Sequence, residues 1–264
     1  MENEPSKILN LLTDKKTRAL KDDFFAKEQT VPSRTEFMEQ ADEWFMSTKI
    51  NELHGIEQFP NKDIIIGCTQ FIENLCLKYK WNIQVLPEDY AYYTVMGKKP
   101  TQVGSLKPNT PLIVSVPNWK HGHRPQWGEI LNECQNKNID IHVDCAWLPV
   151  ARNIELDFDH PNIKSVGMSI SKIIGGWNRI GLRYSKQKTL DPITLYNKSG
   201  KYGDALITAG SFIMSNLERD YVWNTYEKQY EQVCKEHNLE ETNFINVAKK
   251  EGVPVGIAHL ITKL

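Results

Sequence analysis

The sequence lacks the features that mark membrane proteins, secreted disulfide-linked proteins and nucleic-acid-binding proteins. No apolar run approaches the length needed to span a bilayer, and residues 1–5 contain no apolar core of a signal peptide. The formal net charge is −1, so no excess of positive charge is available to attract nucleic acid or an anionic membrane. The five cysteines form no CxxC pair, and their odd number favours free thiols. These absences predict a cytoplasmic protein without a nucleic-acid partner and without membrane association.

The composition is that of a globular protein. Of 264 residues, 40% are hydrophobic and 25% are charged, which suits one domain with a sizeable core. Residues 1–33 are charge-rich and predict an N-terminal arm with some helix. Residues 34–203 predict the main domain, and residues 204–264 predict a helical C-terminal segment. Within that segment, residues 253–261 are apolar and predict either a strand or a helix end.

The alternation of apolar runs and helical patterns in the main domain predicts the fold class. The runs that predict strands are 64–66, 83–86, 112–116, 139–143, 163–170 and 180–184. Strands that alternate with helices predict an α/β fold, here a three-layer α/β/α arrangement around a mainly parallel central sheet. Ligands bind at the carboxyl ends of the strands in such sheets. Gly67, Asp144 and residues 169–172 lie at three of those ends.

Residues 169–181 carry the strongest chemical signal. The segment reads Ser-Ile-Ser-Lys-Ile-Ile-Gly-Gly-Trp-Asn-Arg-Ile-Gly, so Lys172 lies near two hydroxyls, paired glycines and Arg179. A lysine amine can form a Schiff base with an aldehyde cofactor, and serines and an arginine can hold the phosphate of that cofactor. The alternative for Lys172, taken alone, is a solvated loop lysine. Asp144 could serve a pyridinium nitrogen, or it could be an ordinary turn or capping residue at a strand end.

The order of these motifs and their places at strand ends resemble the PLP-dependent aminotransferase-like family, which is fold type I of the aspartate aminotransferase superfamily. The resemblance runs from about residue 64 to about residue 184. It implies pyridoxal 5'-phosphate (PLP) as the cofactor, with Lys172 carrying the internal aldimine and then moving a proton at the substrate Cα. Asp144 would pair with the protonated pyridine nitrogen and keep the ring an electron sink.

The resemblance also implies the remaining cofactor contacts. The residues that would hold the phosphate are Gly67, Cys68, Thr69, Ser169, Ser171 and Arg179, with Arg183 as a weaker substitute for Arg179. The residues that would contact the ring and its oxygen are Tyr90, Asn118, Ala146 and Trp147, with Tyr93 as a competitor of Tyr90 for the stacking position. Core packing is the alternative for the aromatic residues, and an ordinary strand-to-helix turn is the alternative for residues 67–69.

Part of the family pattern is not found. The family carries a small domain after the lysine, and an arginine of that domain binds the substrate carboxylate. The arginines that follow Lys172 are Arg179, Arg183 and Arg219, the last of them predicted on a polar helix. The small domain is therefore predicted to be reduced or missing. Two histidines, His121 and His123, share a loop without a cluster of cysteines or carboxylates, so no metal site is predicted.

The predicted function is that of a PLP-dependent, aminotransferase-like transferase acting on an amine or amino acid with a keto acceptor. The alternatives are a PLP-dependent lyase, decarboxylase or oxidase on the same fold, and a non-catalytic PLP-fold binding protein. Because fold type I sites usually lie between two subunits, the resemblance also implies a homodimer. Phe24 and Phe25 of the arm could dock onto the body or onto a second subunit, and the aromatic residues of 221–230 are further candidates for the interface.

Overall fold

The computed structural model describes residues 12–96, 99–120, 122, 124, 126–200 and 202–262. The strands are β1 (Glu52–His54), β2 (Asn61–Ile65), β3 (Gln84–Val85), β4 (Leu112–Ser115), β5 (Ile141–Asp144), β6 (Glu155–Asp157), β7 (Ile163–Ser169), β8 (Gly181–Ser185), β9 (Val247–Lys250) and β10 (Val253–Gly256). The helices are α1 (Lys15–Ala26), α2 (Arg34–Met46), α3 (Gly67–Lys78), α4 (Ala91–Val95), α5 (Trp127–Asn136), α6 (Pro192–Ser199), α7 (Asp204–Asn216), α8 (Tyr221–Glu236) and α9 (Ala258–Ile261).

Six strands form the central sheet, in the spatial order β2-β8-β7-β5-β4-β3. β7, β5, β4 and β3 pair in parallel, whereas β8 runs antiparallel to both of its neighbours. Five of the six strands therefore point in one direction. Each apolar run predicted as a strand overlaps one strand of this sheet, and the mainly parallel sheet expected from the sequence is confirmed.

Helices cover both faces of the sheet. Successive side chains of a strand point to opposite faces, so each strand contributes to two cores. Ile64 and Val114 belong to a larger core that includes α2 and α7, while their neighbours Ile65 and Ile113 belong to a smaller core with α3. The three-layer α/β/α arrangement expected from the sequence is therefore confirmed.

A glycine on β7 sets the position of α3. A Cβ at Gly167 would lie 2.6 Å from Phe71 Cδ1 on α3, so a larger residue there would push the helix away from the sheet. Gly167 pairs in register with Asp144 of β5. Because α3 begins at Gly67, this close contact places the helix N-terminus beside the carboxyl ends of β5 and β7.

The C-terminal segment departs from its predicted secondary structure. α7 and α8 agree with the helical pattern, but the helical prediction is wrong for residues 247–250, which form β9 and pair with β10 in an antiparallel hairpin. Glu251 and Gly252 make its two-residue turn with φ values of 52° and 74°, the positive values that a type I′ turn requires. Residues 253–261 form β10 and then α9, so this run supplies both a strand and a helix.

Asp14 ties the arm to the C-terminal segment. Its carboxylate caps α1 by accepting a hydrogen bond from the Thr17 N–H at 2.7 Å. The same carboxylate accepts hydrogen bonds from the hydroxyls of Tyr221 at 2.6 Å and Tyr226 at 2.7 Å. Burial raises the pKa of Asp14, but the hydrogen bonds outweigh burial and hold the pKa below its usual value.

The arm also contacts the loop between β7 and β8. Thr13 Oγ1 lies 2.8 Å from the position that a Cβ at Gly175 would occupy, so the arm packs directly against this glycine. The Phe24 ring centroid lies 6.0 Å from that of Trp177 in the same loop, whereas Phe25 is 71% exposed. Phe24 therefore docks onto the body. Residues 1–11 of the predicted arm lie outside the described residues.

Candidate active site

A cavity opens at the carboxyl ends of β5 and β7, beside the N-terminus of α3. Its empty volume is about 580 Å³, part of which is open to solvent. The residues that line it are Gly67, Cys68, Thr69, Ile72, Tyr90, Asp144, Ala146, Trp147, Ser171, Lys172, Gly176 and Arg179. The structure thus brings together all of the sequence-predicted site residues except Asn118 and Ser169.

Asp144 forms the deep polar end of the cavity. It ends β5 and is 3% exposed. Its Oδ1 accepts a hydrogen bond from the Ala146 N–H at 3.0 Å, and its Oδ2 accepts one from the Tyr93 hydroxyl at 3.3 Å. Burial raises the pKa of Asp144 to about 6, although hydrogen bonds from Ala146, the Cys68 thiol and Tyr93 oppose that rise. A cationic ring nitrogen beside this carboxylate would favour its ionised form.

Lys172 supplies an amine to the same cavity. It follows β7, and its Nζ lies 4.2 Å from the ring centroid of Trp147, within the range of a cation–π contact. Burial lowers the pKa of Lys172, while the charge of Asp144 opposes that change. Trp147 also packs against Phe244, with ring centroids 5.6 Å apart. Trp147 is therefore both a core residue and a wall of the cavity.

The N-terminus of α3 forms another wall of the cavity, with the Cys68 thiol in hydrogen-bond contact with Asp144. Ile66 is at its N-cap position, and no side chain caps the helix there. The first residues of the helix, Gly67, Cys68 and Thr69, line the cavity, so uncapped N–H groups and the positive end of the helix dipole lie at its wall. Gly67 adopts a φ of 65°, a conformation that favours glycine.

Two further groups line the cavity together with this helix N-terminus. Arg179 is exposed and lines the cavity, and within the described part of the chain no carboxylate pairs with its guanidinium. Ser171 also lines the cavity. Its N–H donates to Ser169 Oγ at 3.3 Å, and the two hydroxyl oxygens are 3.1 Å apart. Ser169 itself is buried and contacts the Ile180 carbonyl oxygen at 3.2 Å, so it lies behind Ser171 rather than at the cavity wall.

The two tyrosines that competed for the stacking position occupy different places. Tyr90 lines the cavity, whereas Tyr93 is 1% exposed and lies behind Asp144. The Asp89 carboxylate accepts a hydrogen bond from the Tyr90 N–H at 3.0 Å and so fixes the backbone at the start of α4. The structure therefore favours Tyr90 as the ring that faces a ligand.

Asn118 and the suggested substitute Arg183 do not line the cavity. Asn118 is buried; its amide donates to the Glu88 carbonyl oxygen at 3.2 Å and accepts from the Lys120 N–H at 3.0 Å. Arg183 does not substitute for Arg179, because its buried guanidinium is held in ion pairs with Asp63 and Asp191 and it is not among the residues that line the cavity. His121 and His123 lie outside the described residues.

The position of Arg219 differs from the one predicted from the sequence. It lies between α7 and α8 rather than on a polar helix, and it is 2% exposed. Its Nη2 donates to the Leu148 carbonyl oxygen at 2.8 Å, and its Nη1 lies 3.8 Å from Asp220 Oδ1. Burial lowers the pKa of Arg219 to about 10. Arg219 therefore supports the turn that follows Trp147 and does not line the cavity.

Sequence reasoning considered Tyr93 only for stacking and missed the other polar groups behind Asp144. Tyr93, Ser115, Asp89 and Arg124 form a connected set of contacts that leads away from the carboxylate. The position of Ser115 at the end of β4, beside the strand that ends at Asp144, was a usable signal. Asp89 and Arg124 lie in loops, and no spacing rule connects them to a strand end.

Other types of site were sought among the described residues. No group of three histidine, cysteine, aspartate or glutamate side chains there is arranged to hold a metal ion. No helix in the described ranges has both the length and the apolar character needed to cross a membrane. All five cysteines are buried, and none of them forms a disulfide.

Comparison with solved structures identifies the fold. The sequence matches no protein-family model and no curated protein. Tyrosine aminotransferase from Leishmania infantum aligns over 99% of this chain and 91% of its own, with a TM-score of 0.60 and 14% identity. Aspartate aminotransferase from Thermus thermophilus, solved with maleate, aligns over 90% and 76%, with a TM-score of 0.60 and 13% identity. The PLP-bound C-S lyase from Staphylococcus hominis, solved with L-cycloserine, aligns over 94% and 75%, with a TM-score of 0.62 and 9% identity.

At these identities the likeness concerns the fold. Aminotransferases and a C-S lyase share it, so the fold does not select one reaction. The aminotransferase-like fold expected from the sequence is confirmed. This chain has the three-layer α/β/α fold of the PLP-dependent fold type I enzymes.

Proposed function

We propose that this protein is a PLP-dependent enzyme of the aminotransferase type, acting on an amine or amino acid with a keto acceptor. The observation that carries the proposal is the convergence of three groups on one cavity: an amine (Lys172), a buried carboxylate (Asp144) and an anion-binding helix N-terminus with Arg179. PLP has an aldehyde, a basic ring nitrogen and a phosphate, so each of the three groups of the cavity has a chemical counterpart on this cofactor.

The residues present fit this cofactor. Burial, helped by the like charge of Asp89, raises the pKa of Asp144 to about 6, and no cation in the described part of the chain forms a salt bridge with it. A protonated ring nitrogen would supply the missing positive charge. Arg179 is likewise a cation without a paired carboxylate among those residues, and a phosphate dianion would pair with it.

Each residue then has a defined task. When bound, PLP supplies an aldehyde that reacts with amines and a protonated pyridine ring that withdraws electrons from the reacting carbon. Thr69, Ser171, Arg179 and the N–H groups of α3 hold the phosphate in place. Asp144 would hold the proton on the ring nitrogen, and Tyr90 and Ala146 would line the ring and exclude water from it.

Lys172 moves the proton in this scheme. Its partly buried amine has a lowered pKa, so a larger fraction is neutral near pH 7 than for an exposed lysine. A neutral amine can take a proton from the substrate Cα and return it to another atom of the reacting system. The cation–π contact with Trp147 holds the amine at the cavity wall while it carries the proton.

Absorption spectroscopy with added PLP tests cofactor binding. We expect a visible band on addition of PLP to the wild type, and borohydride should then attach the cofactor to the peptide that contains Lys172. Lys172→Arg should lose both the band and the label, whereas Lys188→Arg, at an exposed lysine, should keep both. Absence of the band in the wild type, or attachment at other lysines only, would reject the proposal.

A panel of amine donors tests the reaction type. Conversion of bound PLP to pyridoxamine phosphate by a donor supports transamination. Loss of carbon dioxide or of a substrate side-chain fragment, with PLP regenerated, would point instead to a decarboxylase or lyase. No spectral change across the panel would support the non-catalytic binding protein.

The homodimer is also part of the proposal. Phe25 remains largely exposed beside Trp177, near the loop that carries Lys172, and offers apolar surface to a second subunit. Light scattering at micromolar concentration tests it, and a monomer mass would count against it. The reduced small domain and the cytoplasmic location stay predictions.

A further inference from the structure

A chain of buried polar groups leads from Asp144 into the protein interior. The Tyr93 hydroxyl lies 3.3 Å from Asp144 Oδ2 and 3.2 Å from the Ser115 hydroxyl. The Ser115 N–H donates to both carboxylate oxygens of Asp89 at 3.2 Å. Arg124 Nη2 donates to Asp89 Oδ2 at 3.0 Å. None of these four supporting residues lines the cavity, although Asp144 itself does.

The ionised form of Asp144 fixes the direction of the hydrogen bonds. A carboxylate can only accept, so Tyr93 must donate its hydroxyl proton to Asp144. The Tyr93 oxygen is then free to accept the proton of the Ser115 hydroxyl. Tyr93, Ser115 and Asp144 are each buried, with at most 3% of the residue exposed, so no bulk water replaces these contacts.

The second carboxylate makes this donor necessary. Asp89 is buried near Asp144, and its negative charge disfavours the ionised form of Asp144. Arg124 offsets the Asp89 charge, and the N–H of Ser115 satisfies its oxygens. Tyr93 therefore supplies a donor to a carboxylate that burial and a like charge both push towards its neutral form.

We propose that Tyr93 is a positioning residue that keeps Asp144 ionised and aimed into the cavity, with Ser115 orienting the Tyr93 hydroxyl. The inference rests on the proposed function, because only a cationic ring nitrogen in the cavity requires an ionised Asp144. Asp89 and Arg124 lie at the far end of this series of hydrogen bonds and fix the backbone of Ser115.

Other groups also act on Asp144 and must be followed in the same test. The titratable groups that face or influence it are Cys68 of α3, Tyr90 before α4, Tyr93 of α4, Cys145 after β5, Lys172 after β7, and Asp89. Lys172 carries the nearest opposite charge among them. Its protonation should therefore be measured alongside that of Asp144.

The test is the titration of Asp144 in the protein without added cofactor. Carbon-13 NMR of labelled aspartate carboxyls, assigned with Asp144→Asn, reports the ionisation of this group directly. Loss of a hydrogen bond to a charged group should raise the pKa of Asp144 by about one pH unit in Tyr93→Phe. Ser115→Ala should give a smaller rise. Tyr92→Phe is the matched control, because Tyr92 shares α4 but bonds to Glu73, and it should leave the titration unchanged.

The outcomes distinguish loss of the Tyr93 hydrogen bond from a general loosening of the structure around Asp144. A variant that merely admits water would lower the pKa of Asp144 towards its ordinary value, opposite to the expected change. An unchanged or lowered pKa in Tyr93→Phe would overturn the proposal. In the loaded protein near pH 7 we expect about twofold weaker PLP binding for Tyr93→Phe, because a rise in the pKa of Asp144 from about 6 by about one pH unit lowers its ionised fraction from roughly nine-tenths to roughly one-half. If wild type shows no PLP band while the carboxyl titration behaves as expected, the proposed function fails and the Tyr93 contact stands.

Discussion

Replacement of Arg179 by glutamine should weaken binding of PLP without weakening binding of pyridoxal, which lacks the phosphate. Arg179 lines the cavity beside the N-terminus of α3, and its guanidinium is not paired with a carboxylate of the described residues. A hydrogen bond to a charged group contributes about 1.5 to 3 kcal/mol, and the exposure of Arg179 places its contribution near the lower value. The dissociation constant for PLP should therefore rise about tenfold.

Equilibrium titrations with the two ligands provide the assay. The ratio of the two dissociation constants isolates the phosphate contact, because any damage to the rest of the cavity affects both ligands. Arg179→Lys should fall between wild type and Arg179→Gln, since lysine keeps the charge but loses the bidentate geometry. Arg18→Gln, at an exposed position on α1, removes the same charge elsewhere and should change neither constant. Equal weakening of both ligands in Arg179→Gln, or no weakening of PLP binding, would refute the assignment.

Three further predictions concern stability and the lysine. Gly167→Ala should destabilise the protein by about 1 to 3 kcal/mol in urea, because its Cβ would meet Phe71 at 2.6 Å; an unchanged midpoint would contradict this contact. Asp14→Asn should cost about 1 to 2 kcal/mol near pH 7. Folding lowers the pKa of Asp14, so the Asp14 carboxylate stabilises the folded state above the unfolded-state pKa, and this stabilisation is lost as pH falls through the folded-state pKa. A difference in the free energy of unfolding between Asp14→Asn and wild type that persists in acid would contradict this. Trp147→Leu should lower the pKa of the Lys172 amine by about one pH unit, measured from the pH dependence of its acetylation by mass spectrometry, and Trp147→Phe should have a smaller effect.

The general position of the site could be predicted from strand ends alone. Asp144 ends β5 and Lys172 follows β7, and these two strands are parallel neighbours. Parallel neighbours present their carboxyl ends at one edge, so residues far apart in sequence had to meet there. No feature of the sequence predicted that β8 is antiparallel, because an apolar run predicts a strand but not the direction of that strand.

Side-chain placement within the site depended on long-range contacts. Tyr90 and Tyr93 are separated by one helical turn or less, and tertiary contacts place Tyr90 at the cavity and bury Tyr93 beside Asp144. Asn118 was placed by an assumed loop register, whereas its backbone pairs with Gly122 and turns its amide inward. The hairpin β9–β10 is different, because Glu251-Gly252 between two apolar runs is a local turn signal that the sequence does contain.

The hydrogen bonds between Asp14 and the two tyrosines of α8 can form only late in translation. Asp14 and Tyr221 are separated by 207 positions. At about 5 to 20 residues per second, roughly 10 to 40 seconds of synthesis pass between them. A 12-residue helix such as α1 is marginal on its own in water, so α1 depends on later-made contacts with Trp177, with α7 and finally with α8.

The loop that carries Lys172 is made within that interval. Thr13 can pack against Gly175 of this loop only after the arm has docked. A ribosome-bound chain can therefore hold the central sheet while the lysine loop is still without its outer support. Capacity to retain cofactor should accordingly arise late in synthesis, after residue 226 has left the ribosome rather than when Lys172 does.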